Sequence, residues 1–352
     1  MSLEIFGTLG PACSRREVLR EMFANGITGM RLNLSHTGLA GAAPLIDAMH
    51  EAAEDAGIRP LLLIDMQGPE LRIGSIEKGR MLSEGEDVRL VPKETTGSAG
   101  ADGIPVPAAL LEKLLPGQEL LIDDGKLLLA VTNADGAGVL AKTLRGGALL
   151  PGKSIAAPGI TVESPALTEQ DLENIRLAKK YHVTGLMQPF VRGRQDLLDV
   201  RKALEEAGCP SVRIYAKIEN AAGVRALSEL APCADEIVIA RGDLGNAVPL
   251  WELPGLQSRI AGFCRMHSVP FMVVTQMLSS MEEAEVPTRA ETSDIYRAVM
   301  EGASSVMLTG ETAAGKHPAE ASAYLVRTAR AAEKDREKYG LWGKGFGEST
   351  LE

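Results

Sequence analysis

Eight short apolar segments recur along the 352-residue chain, and each is followed by a polar or glycine-rich turn and then by a helical pattern. They occupy residues 3–8, 28–32, 61–65, 184–188, 213–218, 236–240, 270–274 and 304–308. Strands that alternate with helices form parallel sheets, because a helix has to carry the chain back before the next parallel strand begins. Eight such units predict an α/β fold of the TIM (β/α)8 barrel type.

Local signals mark two of the intervening helices. Ser14 and Glu17 have the spacing of a capping box, and the helix that they would open is expected to end near Gly26. A second helix is predicted from Thr168 to about Tyr181. Both fill the interval between two predicted strands, as a barrel of this type requires.

The alternation breaks after the third strand. From residue 74 to about residue 153 the sequence changes to β-like alternation, as in residues 88–91 (VRLV) and 127–131 (LLLAV), punctuated by Gly, Asp and Pro. We predict a small inserted domain that resembles a β-barrel at residues 74–153, a catalytic barrel made of residues 1–73 and 154–340, and a tail at 341–352. Because the functional face of such barrels is built from the loops that follow the strands, an insertion there can act as a lid.

The charge balance narrows the range of partners. A net charge of -10 argues against nucleic acid and anionic membranes, so an anionic substrate would have to meet locally clustered Arg and Lys. The four cysteines show no C-x-x-C spacing, which indicates neither a zinc site nor a disulfide framework. The first residues carry no basic leader, and no apolar run reaches membrane-spanning length. We therefore expect a cytoplasmic protein.

The second predicted strand carries a polar face. Arg31, Asn33 and Ser35 are spaced two residues apart, so they lie on the same side of the strand. Polar side chains that point into a barrel need partners, which favours a ligand-binding face. The alternative is a polar layer whose members satisfy one another.

A second candidate group follows the fifth and sixth strands. Lys217 and Glu219 end one strand and Asp243 follows the next, so the three can converge at the carboxyl end of the barrel. Carboxylate oxygens beside a lysine suit magnesium, with positions left for water and substrate oxygens, and the ammonium can neutralise a phosphoryl group in transfer. The alternative is an ordinary salt bridge between Lys217 and Glu219.

Nine short motifs then appear in the order that is typical of the pyruvate kinase family. They are residues 8–12 (TLGPA), 31–36 (RLNLSH), 68–72 (GPELR), 122–125 (IDDG), 216–220 (AKIEN), 240–245 (ARGDLG), 275–278 (TQML), 287–291 (PTRAE) and 307–312 (MLTGET). The resemblance runs from residue 8 to about residue 332, nearly the whole chain. It implies a phosphotransferase that moves a phosphoryl group from phosphoenolpyruvate to ADP and yields pyruvate and ATP.

The resemblance also implies roles for the residues at the centre of the reaction. Glu219 and Asp243 would hold Mg²⁺ or Mn²⁺, and Lys217 and Arg31 would contact the phosphoryl group. Thr275 would lie near the face on which the enol is protonated. By this resemblance the catalytic residues are Lys217, Thr275 and Arg31.

Three further sites follow from the same resemblance. Potassium would be held by side-chain oxygens of Asn33, Ser35 and Asp65 and by the carbonyl oxygen of Met66. Glu70 matches the residue that potassium-dependent members of the family carry at this position. The enolpyruvate and its phosphate would be bound by Arg31, Lys217, the backbone of Ala240, Gly242 and Asp243, and the hydroxyl of Thr275. The nucleotide phosphates would face His36, Arg72 and, on the lid, Asp124 and Lys153.

Four positions depart from the family pattern. Gln67 stands where the family has a lysine, Met66 replaces a threonine, Ala156 replaces an asparagine and Pro189 replaces a serine. The loss of a cation and of polar groups around an anion site can lower activity or alter the substrate.

The chain stops before the C-terminal domain that the family normally carries. We expect no effector control through that domain, and either a homodimer through the barrel around Arg289 or a monomer. Two other functions stay open: a lyase or aldolase that acts on pyruvate-like substrates, and a non-catalytic ligand-binding homologue. Asp124 and Lys153 argue against the first, since an aldolase needs no nucleotide cover, and the intact Lys217 and Glu219 argue against the second.

Overall fold

The computed structural model describes residues 3–35, 37–76, 79–94, 103–123, 125–135, 138–160 and 162–340. The chain divides into two compact units. The first consists of Met1–Gly68, Ala166–Arg241 and Glu252–Glu352, and the second of Pro69–Pro165 and Gly242–Trp251.

The described residues form sixteen strands. In chain order they are β1 (Glu4–Thr8), β2 (Gly29–Asn33), β3 (Leu61–Asp65), β4 (Arg80–Leu82), β5 (Asp87–Pro92), β6 (Gly103–Val106), β7 (Glu119–Ile122), β8 (Leu127–Asp135), β9 (Gly138–Arg145), β10 (Gly147–Leu149), β11 (Ile155–Ala156), β12 (Gly185–Gln188), β13 (Arg213–Ile218), β14 (Glu236–Ala240), β15 (Phe271–Val274) and β16 (Ser305–Met307).

The same ranges contain twelve α-helices. They are α1 (Arg16–Asn25), α2 (Ala43–Asp55), α3 (Ala108–Leu111), α4 (Glu169–Leu177), α5 (Arg194–Glu206), α6 (Ala221–Arg225), α7 (Leu227–Leu230), α8 (Arg241–Ala247), α9 (Leu253–Met266), α10 (Arg289–Met300), α11 (Gly310–Ala313) and α12 (Pro318–Tyr339). Short 3₁₀ helices lie at Pro11–Cys13, Ala231–Cys233 and Ser279–Glu282.

Eight strands of the first unit close into a barrel. They follow one another around it in the order β1, β16, β15, β14, β13, β12, β3, β2, and every neighbouring pair is parallel. Because β1 pairs with both β2 and β16, these strands leave no free edge. The predicted TIM-barrel fold is confirmed, and the strand ends lie within one residue of those expected from the apolar segments.

Side chains fill the barrel interior in layers. The middle is apolar and contains Phe6, Leu63, Met187, Tyr215, Val238, Ala240, Met272, Val274 and Met307. Because residues two apart share a face of a strand, the interior positions beyond this layer on β13 are Arg213 at one end and Lys217 at the other. Charged groups therefore stand at both ends of the barrel, with apolar side chains between them.

A group of charged and hydroxyl side chains, the amino-terminal cluster, lies at the amino-terminal ends of the strands. Arg213 pairs through Nη1 with Oε1 of Glu4 at 2.9 Å and through Nη2 with Oε2 of Glu236 at 3.0 Å. The hydroxyls of Ser304 and Ser305 donate to Oε1 of Glu236 at 2.9 and 2.5 Å. Glu236 is fully buried, so one guanidinium and two hydroxyls supply the hydrogen bonds that its carboxylate needs.

Helix α4 begins where the sequence predicts. The side chain of Thr168 accepts a hydrogen bond from the N–H of Asp171, and the carboxylate of Asp171 accepts one from the N–H of Thr168, which forms a complete capping box. The helix ends at Leu177, earlier than predicted, because the chain has to turn before it enters β12. In that turn the N–H of Val183 donates to the carbonyl oxygen of Ala178 at 3.0 Å.

The capping box predicted at Ser14 is wrong. The N-cap of α1 is Arg15, which makes no capping bond through its side chain, and the hydroxyl of Ser14 donates instead to the carbonyl oxygen of Pro11 at 2.9 Å. The hydroxyl of Ser14 thus bonds to the short 3₁₀ helix before α1 and does not cap α1. The end of α1 is as expected, at Gly26, whose φ of 110° favours glycine.

The second unit contains two sheets. One has six strands in the order β11, β7, β8, β9, β5, β6, and the other pairs β10 with β4. Among the strands described in this unit, β5 and β6 pair in parallel and the other pairs are antiparallel. The alternating residues of β5 and β8 supply Val88, Leu90, Leu127, Leu129 and Val131 to a buried apolar core. The β-like alternation of residues 88–91 and 127–131 therefore corresponds to strands β5 and β8, which bury one face.

No helix in the described ranges combines the length and the apolar character needed to cross a membrane. All four cysteines are free thiols. Burial raises the pKa of the Cys13 thiol to about 11, so this thiol is protonated at neutral pH.

Candidate active site

Four charged side chains meet at the carboxyl-terminal ends of the barrel strands. Arg31 of β2 donates from Nε and Nη2 to Oδ2 of Asp65, the last residue of β3, at 2.9 and 2.6 Å. Nζ of Lys217 on β13 lies 3.2 and 3.1 Å from the two carboxylate oxygens of Asp65. The same Nζ lies 2.8 Å from Oε1 of Glu219. The barrel thus joins residues from distant parts of the chain into one cluster, called here the charged cluster.

The charged cluster has little contact with water. Asp65 is 2% exposed and Glu219 is 3% exposed. The side chains of Arg31 and Lys217 are each 12% exposed. Two cations face two carboxylates, so the formal charge is balanced, as buried charges require.

The ion pairs determine the protonation states. Burial alone would raise the pKa of Asp65, but Lys217 and Arg31 outweigh it and hold the pKa of this carboxyl below its ordinary value. Burial also disfavours the ammonium form of Lys217, yet Asp65 and Glu219 raise its pKa above that of a free lysine. Asp65 is therefore a carboxylate and Lys217 an ammonium at neutral pH.

The residues predicted to hold potassium come from β2, β3 and the loops that follow them. Asn33 and Asp65 are register partners on neighbouring strands. The N–H of Ser35 donates to Oδ1 of Asn33 at 3.0 Å, and the N–H of Met66 donates to the carbonyl oxygen of Met187 at 3.1 Å. The structure thus brings Asn33, Ser35 and Asp65 close together; their role in binding a cation stays a prediction.

Glu219 and Asp243 are the predicted magnesium ligands. Oε2 of Glu219 accepts a hydrogen bond from the N–H of Phe190 at 2.8 Å, so a backbone donor and Lys217 orient this carboxylate. Asp243 belongs to the second unit and lies in the first turn of α8, which starts where β14 ends. Among the residues that the structure describes, no three His, Cys, Asp or Glu side chains are grouped so that they could hold a metal ion. Magnesium commonly uses one or two carboxylates with waters and substrate oxygens, so a third protein ligand is not needed.

A buried carboxylate fixes the loop after β3. The N–H groups of Gln67 and Gly68 donate to Oδ1 and Oδ2 of Asp171 at 2.9 and 3.0 Å. Gly68 has a φ of 58°, and a Cβ at this position would lie 2.5 Å from Cγ of Pro189. Two of the four departures from the family pattern, Gln67 and Pro189, therefore lie at one tightly packed turn. A third, Ala156, ends β11 in the second unit.

The predicted substrate-binding segments follow β14 and β15. Ala240 is the last residue of β14 and is 1% exposed, and Gly242 follows in α8. Thr275 directly follows β15 and has a φ of 69°, which β-branched residues rarely adopt. Its carbonyl oxygen accepts a hydrogen bond from Nη2 of Arg241 at 2.6 Å. Since β14 and β15 are neighbours in the barrel, Ala240 and Thr275 lie at the same end of adjacent strands.

The second unit brings together two of the residues predicted to face the nucleotide. Arg72 pairs with Glu70 at 2.6 Å and forms an isolated antiparallel bridge with Ser154, the residue after Lys153. Nζ of Lys153 lies 2.9 Å from Oδ1 of Asp123. Arg72 and Lys153 thus belong to adjoining segments of the backbone.

A pocket of about 790 Å³ adjoins the charged cluster. It is lined by the loop after β1, by Arg31, Asn33 and Thr37, and by the loop after β16. Its volume falls in the range of small-molecule sites. The other two residues predicted to face the nucleotide, His36 and Asp124, lie outside the described residues.

Three residues contact segments that carry predicted site residues, but the sequence does not indicate these contacts: Arg241, Asp171 and Asp123. Arg241 lies within a family motif, but nothing local indicates which carbonyl oxygens it contacts. The spacing of Thr168 and Asp171 indicates a capping box. The hydrogen bonds that Asp171 accepts from the loop after β3 join positions about 100 residues apart and leave no local signal. Asp123, which pairs with Lys153, is adjacent in sequence to Asp124, the residue that the resemblance named.

The chain is similar to known proteins of one family. The profile of the family described as pyruvate kinase, barrel domain, matches residues 2–322. The chain is 36% identical to a pyruvate kinase of Corynebacterium glutamicum over 334 residues, which cover 94% of this chain and 70% of that protein. It is 35% identical to a pyruvate kinase of Chlamydia pneumoniae over 318 residues, which cover 90% of this chain and 66% of that protein.

A further relative leads to the same family. The chain is 36% identical to a pyruvate kinase of Geobacillus stearothermophilus over 321 residues, which cover 90% of this chain and 54% of that protein. The chain therefore spans about two thirds of the length of the first two relatives and about half of this one. The resemblance drawn from the nine motifs is confirmed, and the chain belongs to the pyruvate kinase family.

Proposed function

We propose that this chain transfers a phosphoryl group from phosphoenolpyruvate to ADP and yields pyruvate and ATP. The observation that carries the proposal is the charged cluster of Arg31, Asp65, Lys217 and Glu219 at the carboxyl-terminal end of a barrel of this family. Catalytic groups of such barrels stand at this end of the strands.

The bonds that change define what the site has to do. The bond between the phosphorus atom and the enol oxygen breaks, and a terminal oxygen of ADP forms the new bond to phosphorus. The enolate that remains takes up one proton at its terminal carbon and becomes pyruvate. Negative charge is spread over the phosphoryl oxygens and the departing enolate oxygen during the transfer, so catalysis depends on positioning and on electrostatic stabilisation.

Arg31 and Lys217 are suited to this task. Both cations are held by Asp65 in fixed positions, so they need little reorganisation when charge develops on the substrate. Burial lowers the pKa of Lys217, but Asp65 and Glu219 outweigh burial and raise this pKa above its ordinary value, which favours the ammonium form. Arg31 also lines the 790 Å³ pocket, which we assign to the nucleotide.

The oxygen donors fit the cations that the family uses. The carboxylate of Glu219 is already oriented by Phe190 and Lys217, and together with Asp243 it would hold Mg²⁺ or Mn²⁺. Asn33, Ser35, Asp65 and the carbonyl of Met66 would hold K⁺, a fit supported by the register pairing of Asn33 with Asp65. When bound, these cations would supply positive charge that offsets the negative charge of the transferring group.

Further assignments belong to the same proposal. Thr275 and the backbone of Ala240, Gly242 and Asp243 would bind the enolpyruvate, and Arg72 and Lys153 would contact the nucleotide phosphates. We propose that the enzyme works in the cytoplasm, as a homodimer through the barrel or as a monomer.

The test is pyruvate release from phosphoenolpyruvate and ADP with magnesium, measured with and without potassium. We expect potassium-dependent turnover, and Glu219→Gln should abolish the part that depends on magnesium. The matched control is Glu206→Gln, whose carboxylate pairs with Lys202 on the surface at 3.8 Å and is 69% exposed. Absence of pyruvate from the unaltered chain would refute the proposed function, and full activity of Glu219→Gln would refute the metal assignment.

A further inference from the structure

The backbone takes an unusual course directly after β15. Thr275 and Gln276 have φ angles of 69° and 53°, both in the left-handed region. Residues other than glycine are disfavoured there, and a β-branched residue such as Thr275 more so. Two such residues in succession persist only where the surroundings hold them.

One guanidinium contacts three consecutive carbonyl oxygens of this segment. Nε of Arg241 lies 3.4 Å from the carbonyl oxygen of Val274 and 3.2 Å from that of Thr275. Nη2 lies 2.6 Å from the carbonyl oxygen of Thr275 and 3.3 Å from that of Gln276. Nη2 also lies 3.0 Å from Sδ of Met277. The planar side chain thus follows the path of the backbone through the left-handed residues.

Arg241 is itself held in place. It is 9% exposed, and its Nη1 pairs with Asp294 of α10. All three nitrogens of the guanidinium therefore have partners. Lysine cannot reproduce this arrangement, because its ammonium is a single point on a flexible stem and lacks the planar fork.

The place of Arg241 in the chain adds a second connection. It follows Ala240 and precedes Gly242 and Asp243, which are predicted to bind the enolpyruvate through their backbone. Its side chain reaches the segment that carries Thr275. One residue therefore links the ends of two neighbouring strands, β14 and β15.

We propose that Arg241 is a positioning residue that holds Thr275 in the conformation in which its hydroxyl serves the enolpyruvate. In this role Arg241 acts on the reaction only through Thr275. The inference rests on the proposed function, in which the enolate is protonated near Thr275. An arginine with a merely structural role would lower the stability of the fold and leave turnover unchanged.

A double-mutant cycle separates the two roles. Arg241→Gln is expected to lower kcat about 100-fold, the size of effect that follows a displacement of about 1 Å at a catalytic group. Thr275→Ala should cause a loss of similar size. If Arg241 acts through Thr275, the variant with both changes lies within about threefold of Thr275→Ala alone, because the second change removes nothing further. Losses that multiply in the double variant would overturn the proposal.

Arg336→Gln is the matched control. Nη1 of Arg336 donates to the carbonyl oxygens of Val299 and Ala303 at 3.1 and 3.2 Å, so it makes the same kind of bond at the end of α10. Its loss should lower the melting temperature and leave kcat unchanged. The proposal is wrong if Arg241→Gln has the same kcat as Arg336→Gln.

Amide hydrogen exchange tests the geometry without any assay of activity. Arg241→Gln should speed exchange in residues 274–278, and Arg336→Gln should not. Unchanged exchange in Arg241→Gln would overturn the positioning role, whatever the turnover. If the unaltered chain makes no pyruvate while exchange responds as expected, the proposed function fails and the positioning of the segment by Arg241 stands.

Discussion

The two ends of the barrel interior both bury charge, but they balance it by different means. At the carboxyl-terminal end two cations, Arg31 and Lys217, face the carboxylates of Asp65 and Glu219. Each carboxylate there has a cation within 3.1 Å, and one of the cations lines a pocket large enough for a small molecule.

At the amino-terminal end one cation serves two carboxylates. Arg213 pairs with both Glu4 and Glu236, and the hydroxyls of Ser304 and Ser305 supply the remaining bonds to Glu236. These hydroxyls satisfy the hydrogen-bonding needs of the carboxylate but do not neutralise its charge.

The pKa values reflect this difference. Burial raises the pKa of Glu236 to about 7, and the bonds from Ser305, Ser304 and Arg213 offset burial only in part. Asp65 is equally buried, yet Lys217 and Arg31 hold its pKa below the ordinary value. Asp65 therefore stays charged beside two cations, whereas Glu236, beside one cation, takes up a proton near neutral pH. An ionised cluster beside a pocket can act on a substrate, whereas the other end serves the stability of the fold.

The largest expected effect comes from removing a cation at the carboxyl-terminal end. Lys217→Met should lower kcat about 1,000-fold or more, because a fixed cation against the transferring phosphoryl group contributes effects of that size. Lys202→Met is the control, since Lys202 is 75% exposed and pairs with Glu206 at 3.8 Å. Steady-state kinetics with phosphoenolpyruvate and ADP measure both. If the kcat of Lys217→Met lay within tenfold of the kcat of the unaltered enzyme, the two ends of the barrel would not differ in function as proposed.

The sequence predicts one end of the barrel better than the other. The spacing of Arg31 and Asn33 on β2, and of Lys217 on β13 and Glu219 directly after it, indicates a polar face at the carboxyl-terminal end, because such residues stand out at the ends of apolar strands. The eight strands are equally visible from their apolar runs. Ser14 shows that a local spacing does not suffice to predict a helix cap. Ser14 and Glu17 have the spacing of a capping box, but the hydroxyl of Ser14 donates to the carbonyl oxygen of Pro11.

The amino-terminal cluster was not visible in the sequence. Glu4, Arg213 and Glu236 stand at or near the first residues of three separate strands, and each alone looks like an ordinary polar boundary residue. The bond between Glu4 and Arg213 spans 209 positions, so only closure of the barrel brings them together. The contacts of Arg241 with the segment after β15 are tertiary in the same sense.

Arg213→Met tests whether the amino-terminal cluster serves stability alone. The change leaves Glu236 fully buried without its cation, so we expect the free energy of unfolding to fall by roughly 3 kcal/mol, with kcat unchanged in the protein that remains folded. Urea denaturation at pH 8 measures the loss. Arg16→Met is the control, because its pairs with Glu51 and Asp55 are exposed to solvent and their loss should change the stability little. A drop in kcat like that of Lys217→Met would show that the ends are not functionally distinct.

The raised pKa of Glu236 makes a prediction about pH. The folded protein binds this proton more tightly than the unfolded chain, whose glutamate pKa is near 4.5. The unfolded chain therefore releases the proton first as pH rises, and the free energy of unfolding should fall by about 2.5 kcal/mol between pH 5 and pH 8. Glu236→Gln removes the titrating group and should remove this fall. Urea titrations of both proteins across this range test it, and parallel pH profiles would contradict the assignment.

Ser305→Ala should have the smallest effect and tests how the hydroxyls substitute for a second cation. Its hydroxyl lies 2.5 Å from Oε1 of Glu236, and a hydrogen bond to a charged acceptor is worth about 1.5 kcal/mol. Because Glu236 is ionised at pH 8 and protonated at pH 5, the loss of stability should be larger at pH 8. Ser322→Ala is the control: its buried hydroxyl donates to the carbonyl oxygen of Pro318 at 2.7 Å, a neutral acceptor, so its cost should not depend on pH. If both serine variants lose the same amount at the two pH values, the hydroxyls do not support the charge on Glu236, and Arg213 alone would have to account for it.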